Sequence, residues 1–122
     1  ATWCPPCRAE VPHLVEADTK FKSRGLAILS LSLDEGRRIS QHRVETYARE
    51  NRMNWTHVYK GVEEIAGSYG VRGIPAAFLV DGDTGVILAI GRDLRGSRLL
   101  QTIEREVKKK EDDRKRKEGE KP

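Results

Sequence analysis

Apolar positions change period several times along this chain, and each change marks an element. Val11, Leu14, Val15 and Phe21 fall on one face of a helix, with Asp18 interrupting the stripe. Pro6 suits that helix's first turn, where a missing N–H costs nothing. Pro12 lies inside it, where a kink is expected, and Ser23-Arg24-Gly25 closes it. Leu26 to Leu33 reads as a strand, continuously apolar at first, as if covered on both faces, and then alternating. Asp34-Glu35-Gly36 ends it. Residues 39–52 read as a second helix with Val44, Tyr47 and Ala48 facing inward. A short strand over 55–59 and a short helix over 62–69, capped by Gly70, come next. Ile74 to Val80 is a second buried strand, with Pro75 at its start, where proline is tolerated. The turn-rich Asp81–Gly85 joins it to Val86–Ile90 as a hairpin. Leu99, Leu100, Ile103 and Val107 stripe a last helix, with Ser97 as its candidate N-cap. This order predicts an α/β sheet covered by helices on both faces.

The apolar stripe stops at Val107, so one domain over residues 1–107 and a charged segment over 108–122 are expected. That segment carries eight of the chain's Lys and Arg and five of its Asp and Glu, leaving the rest of the chain almost neutral. The basic character is therefore a property of a solvated helix end or disordered tail, and no nucleic-acid partner is expected. No apolar run approaches the length of a membrane span.

Both cysteines lie in Trp3-Cys4-Pro5-Pro6-Cys7, directly before the first helical stripe. A thiol at a helix N-terminus meets the positive end of the helix dipole and unpaired backbone N–H groups. Both favour the thiolate, the form that attacks disulfides. The spacing also admits other chemistry. Zinc wants further ligands, but His13, His42 and His57 show no pairing at ligand spacing. Haem attachment needs His after the second Cys, where Arg8 stands. An iron–sulfur cluster usually wants four thiolates. A copper(I) or zinc carrier using the two thiolates would have a stiff Pro5-Pro6 loop and no nearby Met. A purely structural disulfide would close a loop too short to restrain the unfolded chain. Position then suggests Cys4, at the helix start and more exposed, as the nucleophile, and Cys7, a turn inside and more shielded, as the resolving thiol. The three histidines, Trp55 and Tyr59 read as surface or packing residues.

The chain resembles the thioredoxin superfamily, and within it the TlpA-like, or ResA-like, thiol–disulfide oxidoreductases. The matching residues are Ala1 to Pro12 around the cysteine pair, Leu31-Ser32-Leu33-Asp34, and Tyr69 to Asp81, with Gly85-Val86-Ile87 and Leu94-Arg95-Gly96 fitting as well. The resemblance implies a three-layer fold with a central mixed sheet. Its redox centre is the Cys4–Cys7 pair, with no further cofactor and no metal. Glu10 matches a glutamate implied to tune the cysteines' proton affinity. Trp3 matches a tryptophan that shields the pair, and Pro5 and Pro6 complete the site loop. Pro75, after Ile74, matches a cis proline beside the disulfide, where free backbone groups pair with an extended substrate. The implied partners are protein disulfides and an upstream dithiol reductant, in an extracytoplasmic bacterial setting. A peroxiredoxin-like thiol peroxidase on Cys4 is the second enzyme reading, although the context before Cys4 does not match that site. The family also has strands before the cysteine motif, the last lying between the strands at 26–33 and 76–81. The 122 residues are therefore expected to be part of a longer chain, with an apolar strand ending near Ala1 and any membrane anchor before it.

Overall fold

The computed structural model describes residues 1–120. Its elements are α1 (Pro5–Phe21), β1 (Leu29–Leu31), α2 (Gln41–Glu50), β2 (Thr56–Val58), α3 (Val62–Ser68), β3 (Phe78–Val80), β4 (Ile87–Ile90) and α4 (Ser97–Gly119). Short 3₁₀ turns cover Lys22–Arg24, Glu35–Arg37 and Gly91–Leu94.

The principal core lies where α1, α4 and the hairpin meet. Ala17 and Phe21 of α1 pack with Leu94, Leu99 and Ile103, all buried. Leu79 and Ala89 of the hairpin, and Leu100 and Val107 of α4, pack against that cluster. The helical stripes read from the sequence thus supply the core directly. Val44 and Ala48 of α2 and Val62 of α3 are buried in a second region.

The strands are shorter than their apolar runs and form two small sheets. β1 pairs in parallel with β2, Leu29 opposite Thr56 and Leu31 opposite Val58. β3 pairs antiparallel with β4, Phe78 opposite Ile90, with an irregularity between Leu79 and Val80. Among the described residues no strand bridges β1 and β3, so the sheet stands as a parallel pair and an antiparallel pair, as expected where the strand between them lies outside these residues. A cleft of about 770 Å³ separates them. This corrects the reading of residues 26–33 as covered on both faces. Leu29 is 55 % exposed and Leu31 38 %, because both border the open cleft.

One helix start also differs from expectation. Gly96, not Ser97, caps α4. Gly96 adopts φ 55° and ψ −137°, a region that strains any side chain, and its N–H is held by a carboxylate from α1. Ser97 is consequently the first helical residue. At the other end α4 continues far past Val107. Arg24 pairs with Glu104 and Glu111, each at 2.7 Å, and Lys110 pairs with Asp83 at 2.7 Å and Asp81 at 2.9 Å. The first turns of the charged segment are therefore tied to the body by ion pairs rather than by apolar contacts. No described helix is long and apolar enough to cross a membrane.

Candidate active site

Cys4 is the N-cap of α1, in extended backbone conformation, with Pro5 and Pro6 occupying the first helical positions. Neither proline has an N–H to leave unsatisfied, so the first free donor of the helix is that of Cys7. That N–H donates to the Cys4 Sγ at 3.3 Å. The two cysteines are joined in a disulfide with their Cα atoms 5.2 Å apart. The two prolines lie on the surface.

The expected exposures of the cysteines are reversed. Cys4 is 5 % exposed, whereas Cys7 is half-buried and borders the cleft between the sheets. The cause is local. The turn at Ala1–Cys4, closed by the Cys4 N–H donating to the Ala1 carbonyl, tucks Cys4 inward, while the cleft leaves Cys7 uncovered.

Glu10, Ile74 and Pro75 border the same cleft as Cys7. The Ile74–Pro75 peptide bond is cis. A Glu10 carboxylate oxygen accepts the Gly96 N–H at 2.9 Å. Next to it, Arg95 donates to the Pro75 carbonyl at 2.7 Å. The corner between the last 3₁₀ turn and α4 therefore holds both walls of the cleft near Cys7, the helix wall through Glu10 and the loop wall through Pro75. Leu94, buried in the core, anchors that corner. The sequence match included Arg95 and Gly96 but assigned neither a task.

Trp3 sits apart from that cleft, beside a smaller recess. The Arg37 guanidinium stands 3.6 Å over its ring, close enough for a cation–π contact. The Trp3 indole N–H is buried without an acceptor among the described residues.

Asp34 is fully buried, and sequence reasoning passed over it as a strand-ending turn residue. Its carboxylate accepts the Thr2 backbone N–H at 3.1 Å, and the Thr2 and Ser32 hydroxyls donate to it as well. Burial pushes its carboxyl up, but the Ser32 and Thr2 hydrogen bonds outweigh that and hold it below the ordinary value. Its carbonyl accepts the N–H groups of Arg37 and Ile39. One residue thus positions the segment leading to Cys4 and the turn carrying Arg37. An aspartate directly after an apolar strand, facing a redox motif elsewhere in the chain, was the available signal. Among the described residues, no three His, Cys, Asp and Glu side chains gather as a metal-ligand set.

A match to the AhpC/TSA family covers residues 1–89, which contain both cysteines and Pro75. The chain belongs to the AhpC/TSA family. Within this thioredoxin-like family it is similar to the thiol-disulfide oxidoreductase ResA of Bacillus thuringiensis subsp. konkukian, 30 % identical over 108 residues that span 88 % of this chain and 58 % of that relative. ResA of Bacillus subtilis is 26 % identical over 89 residues, 73 % of this chain and 48 % of that protein. The chain thus spans about half the length of these AhpC/TSA relatives. Among solved structures, the thioredoxin domain of a thiol-disulfide oxidoreductase from Bacteroides vulgatus superposes with a TM-score of 0.74 at 30 % identity, over 86 % of this chain and 72 % of that one. StoA of Bacillus subtilis shares the fold, with a TM-score of 0.62 at 24 % identity, over 74 % of this chain and 66 % of that one. The fold is thioredoxin-like.

Proposed function

We propose that this protein is a thiol–disulfide oxidoreductase that reduces protein disulfides through the Cys4–Cys7 pair. The observation that carries this reading is the helix N-terminus at Cys4: its sulfur accepts a backbone N–H, a contact that favours the thiolate. Cys4 is assigned as the nucleophile on that ground, not on exposure. Its thiolate attacks one sulfur of the substrate disulfide. A Cys4–substrate disulfide forms, and the other substrate sulfur leaves as a thiolate that takes up a proton. Cys7 then gives up its proton and attacks the Cys4 sulfur. The Cys4–Cys7 disulfide forms and the second substrate thiol departs, so two electrons have passed to the substrate. An external dithiol restores the reduced pair.

Glu10 borders the same cleft as Cys7 and sits three residues after it on α1, a spacing that keeps both on one helical side. It serves as the carboxylate that tunes the proton affinity of the pair. Ile74 and Pro75 offer backbone to an extended substrate on the opposite wall, as an added strand would. The reading places this activity in an extracytoplasmic setting with an upstream dithiol donor; the relatives named thiol-disulfide oxidoreductases support the exchange chemistry.

The test is turnover of a disulfide-bonded protein with a dithiol as electron source. Reduction that depends on both Cys4 and Cys7 is expected. Consumption of peroxide without disulfide reduction, or stoichiometric copper or zinc binding without turnover, would contradict the reading.

A further inference from the structure

Trp3 is held by the face of its ring rather than by its N–H. The Arg37 guanidinium stands 3.6 Å over the ring, while the buried indole N–H meets no acceptor among the described residues. Thr2, one residue earlier, is held by the Asp34 carboxylate. The turn from Asp34 to Arg37 therefore grips both residues that lead into Cys4, one through an anion and the other through a cation.

That turn has its own supports. The Arg37 and Ile39 N–H groups each donate to the Asp34 carbonyl at 3.1 Å, and the Arg38 N–H donates to the Glu35 carbonyl at 3.0 Å. Arg38 stands at φ 58°, a left-handed conformation that non-glycine residues rarely adopt and that persists where surrounding contacts enforce it. The Tyr59 hydroxyl donates to the Ile39 carbonyl just beyond. On the α3 side, the Glu35 carboxylate accepts the Gly61 N–H at 3.2 Å. The Glu63 carboxylate lies where a Cβ on Gly36 would have to stand. Arg37 thus projects from a fixed base toward Trp3.

We propose that Arg37 is a positioning residue for the redox pair, acting on Cys4 through Trp3. The proposal rests on the reading of Cys4 as the nucleophile and adds a residue that holds it in place. Cys4 caps α1 at φ −102° and ψ 104°, and there its sulfur accepts the Cys7 N–H at 3.3 Å. That contact favours the thiolate. Movement of the Trp3–Cys4 peptide would carry the sulfur off the N–H, and the pinned Trp3 ring opposes that movement. A clamp biases an equilibrium by no more than its own strength. The effect on the thiolate is therefore bounded by what a surface cation–π contact supplies.

The experiment uses the reduced Cys7→Ser protein, in which Cys4 carries the one remaining thiol. The pH dependence of its alkylation by iodoacetamide reads the Cys4 thiolate fraction, with no substrate present. Arg37→Gln in this protein should lower that fraction about threefold on the acid side of the profile, within the range of a surface cation–π contact. Arg37→Lys keeps a cation over the ring and should restore most of the loss. In a Trp3→Leu background, Arg37→Gln should change nothing further, because the ring through which it acts is gone. Circular dichroism spectra report whether each variant is folded. A second readout needs no change at Trp3: with Trp55→Phe, Trp3 is the sole tryptophan, and Arg37→Gln should increase quenching of its fluorescence by acrylamide. An unchanged alkylation profile in Arg37→Gln overturns the proposal, as does unchanged quenching. An equal loss of thiolate with and without Trp3 also overturns it, since Arg37 would then act by its charge alone. Full turnover by Cys4→Ser would refute the redox reading instead, and the alkylation profiles would remain readable.

Discussion

The Asp34 carboxylate accepts the Thr2 backbone N–H at 3.1 Å, across 32 positions of sequence. This latch joins the end of a strand to the segment entering Cys4. Asp34→Ala would leave the Thr2 N–H and two hydroxyls without their acceptor, and is expected to cost about 3 kcal/mol in urea unfolding. The carboxyl is held below its ordinary value by the Ser32 and Thr2 bonds despite burial. Its stabilisation is therefore complete above the unfolded carboxyl pKa, near 4, and is lost as pH falls through the lower folded value. Asp34→Asn should flatten that acid limb. Identical acid limbs in the wild type and Asp34→Asn would contradict the latch.

Glu10 has a structural bond and a proposed chemical task, and one substitution separates them. Glu10→Gln keeps an oxygen to accept the Gly96 N–H but removes the titrating group. The melting temperature is expected to stay near that of the wild type, while the pH dependence of turnover shifts. An unchanged pH–rate profile would reduce Glu10 to a helix-end contact.

The glycine beneath that contact has its own prediction. Gly96 stands at φ 55° with nothing within 4 Å of the position a Cβ would take. Gly96→Ala therefore meets backbone strain rather than a clash, and should cost about 1–2 kcal/mol. Differential scanning calorimetry checks this.

Arg95 holds the Pro75 carbonyl at 2.7 Å. Arg95→Ala should raise KM for a peptide disulfide several-fold, leaving kcat and reduction of a small neutral disulfide close to wild type. Arg95→Lys should recover part of the loss. A uniform fall in kcat on both substrates would indicate a general structural defect instead.

The helices were legible in the sequence because their apolar stripes report packing directly: Phe21, Leu99 and Ile103 are the core. The strands were legible in place but not in extent. A strand is as long as its partner, and β1 pairs in register with β2 only over Leu29–Leu31. The redox motif was plain from Cys4, Cys7 and Pro75. The relative burial of the cysteines was not, because it depends on how the Ala1–Cys4 turn folds and on an open cleft that no local pattern reports. Asp34, Arg95 and Arg37 were missed for one common reason. Each acts on a residue at least 20 positions away, or through a ring it meets only in space.

The charged end of α4 yields a comparison of two truncations. Removing residues 112–122 spares Lys110 and Glu111 and should leave the melting temperature unchanged. Removing residues 108–122 deletes the Arg24–Glu111 and Lys110–Asp81 pairs and should lower it, the more so at low salt. Equal melting temperatures would make those pairs energetically silent.

The most direct test of the central claim is trapping of the covalent intermediate. The Cys7→Ser protein, mixed with a disulfide-bonded peptide, should accumulate a mixed disulfide that peptide mapping by mass spectrometry places on Cys4. The Cys4→Ser protein should accumulate none and turn over no substrate. Full turnover by Cys4→Ser, or a trapped adduct on Cys7 in that variant, would contradict the assignment of Cys4 as the nucleophile.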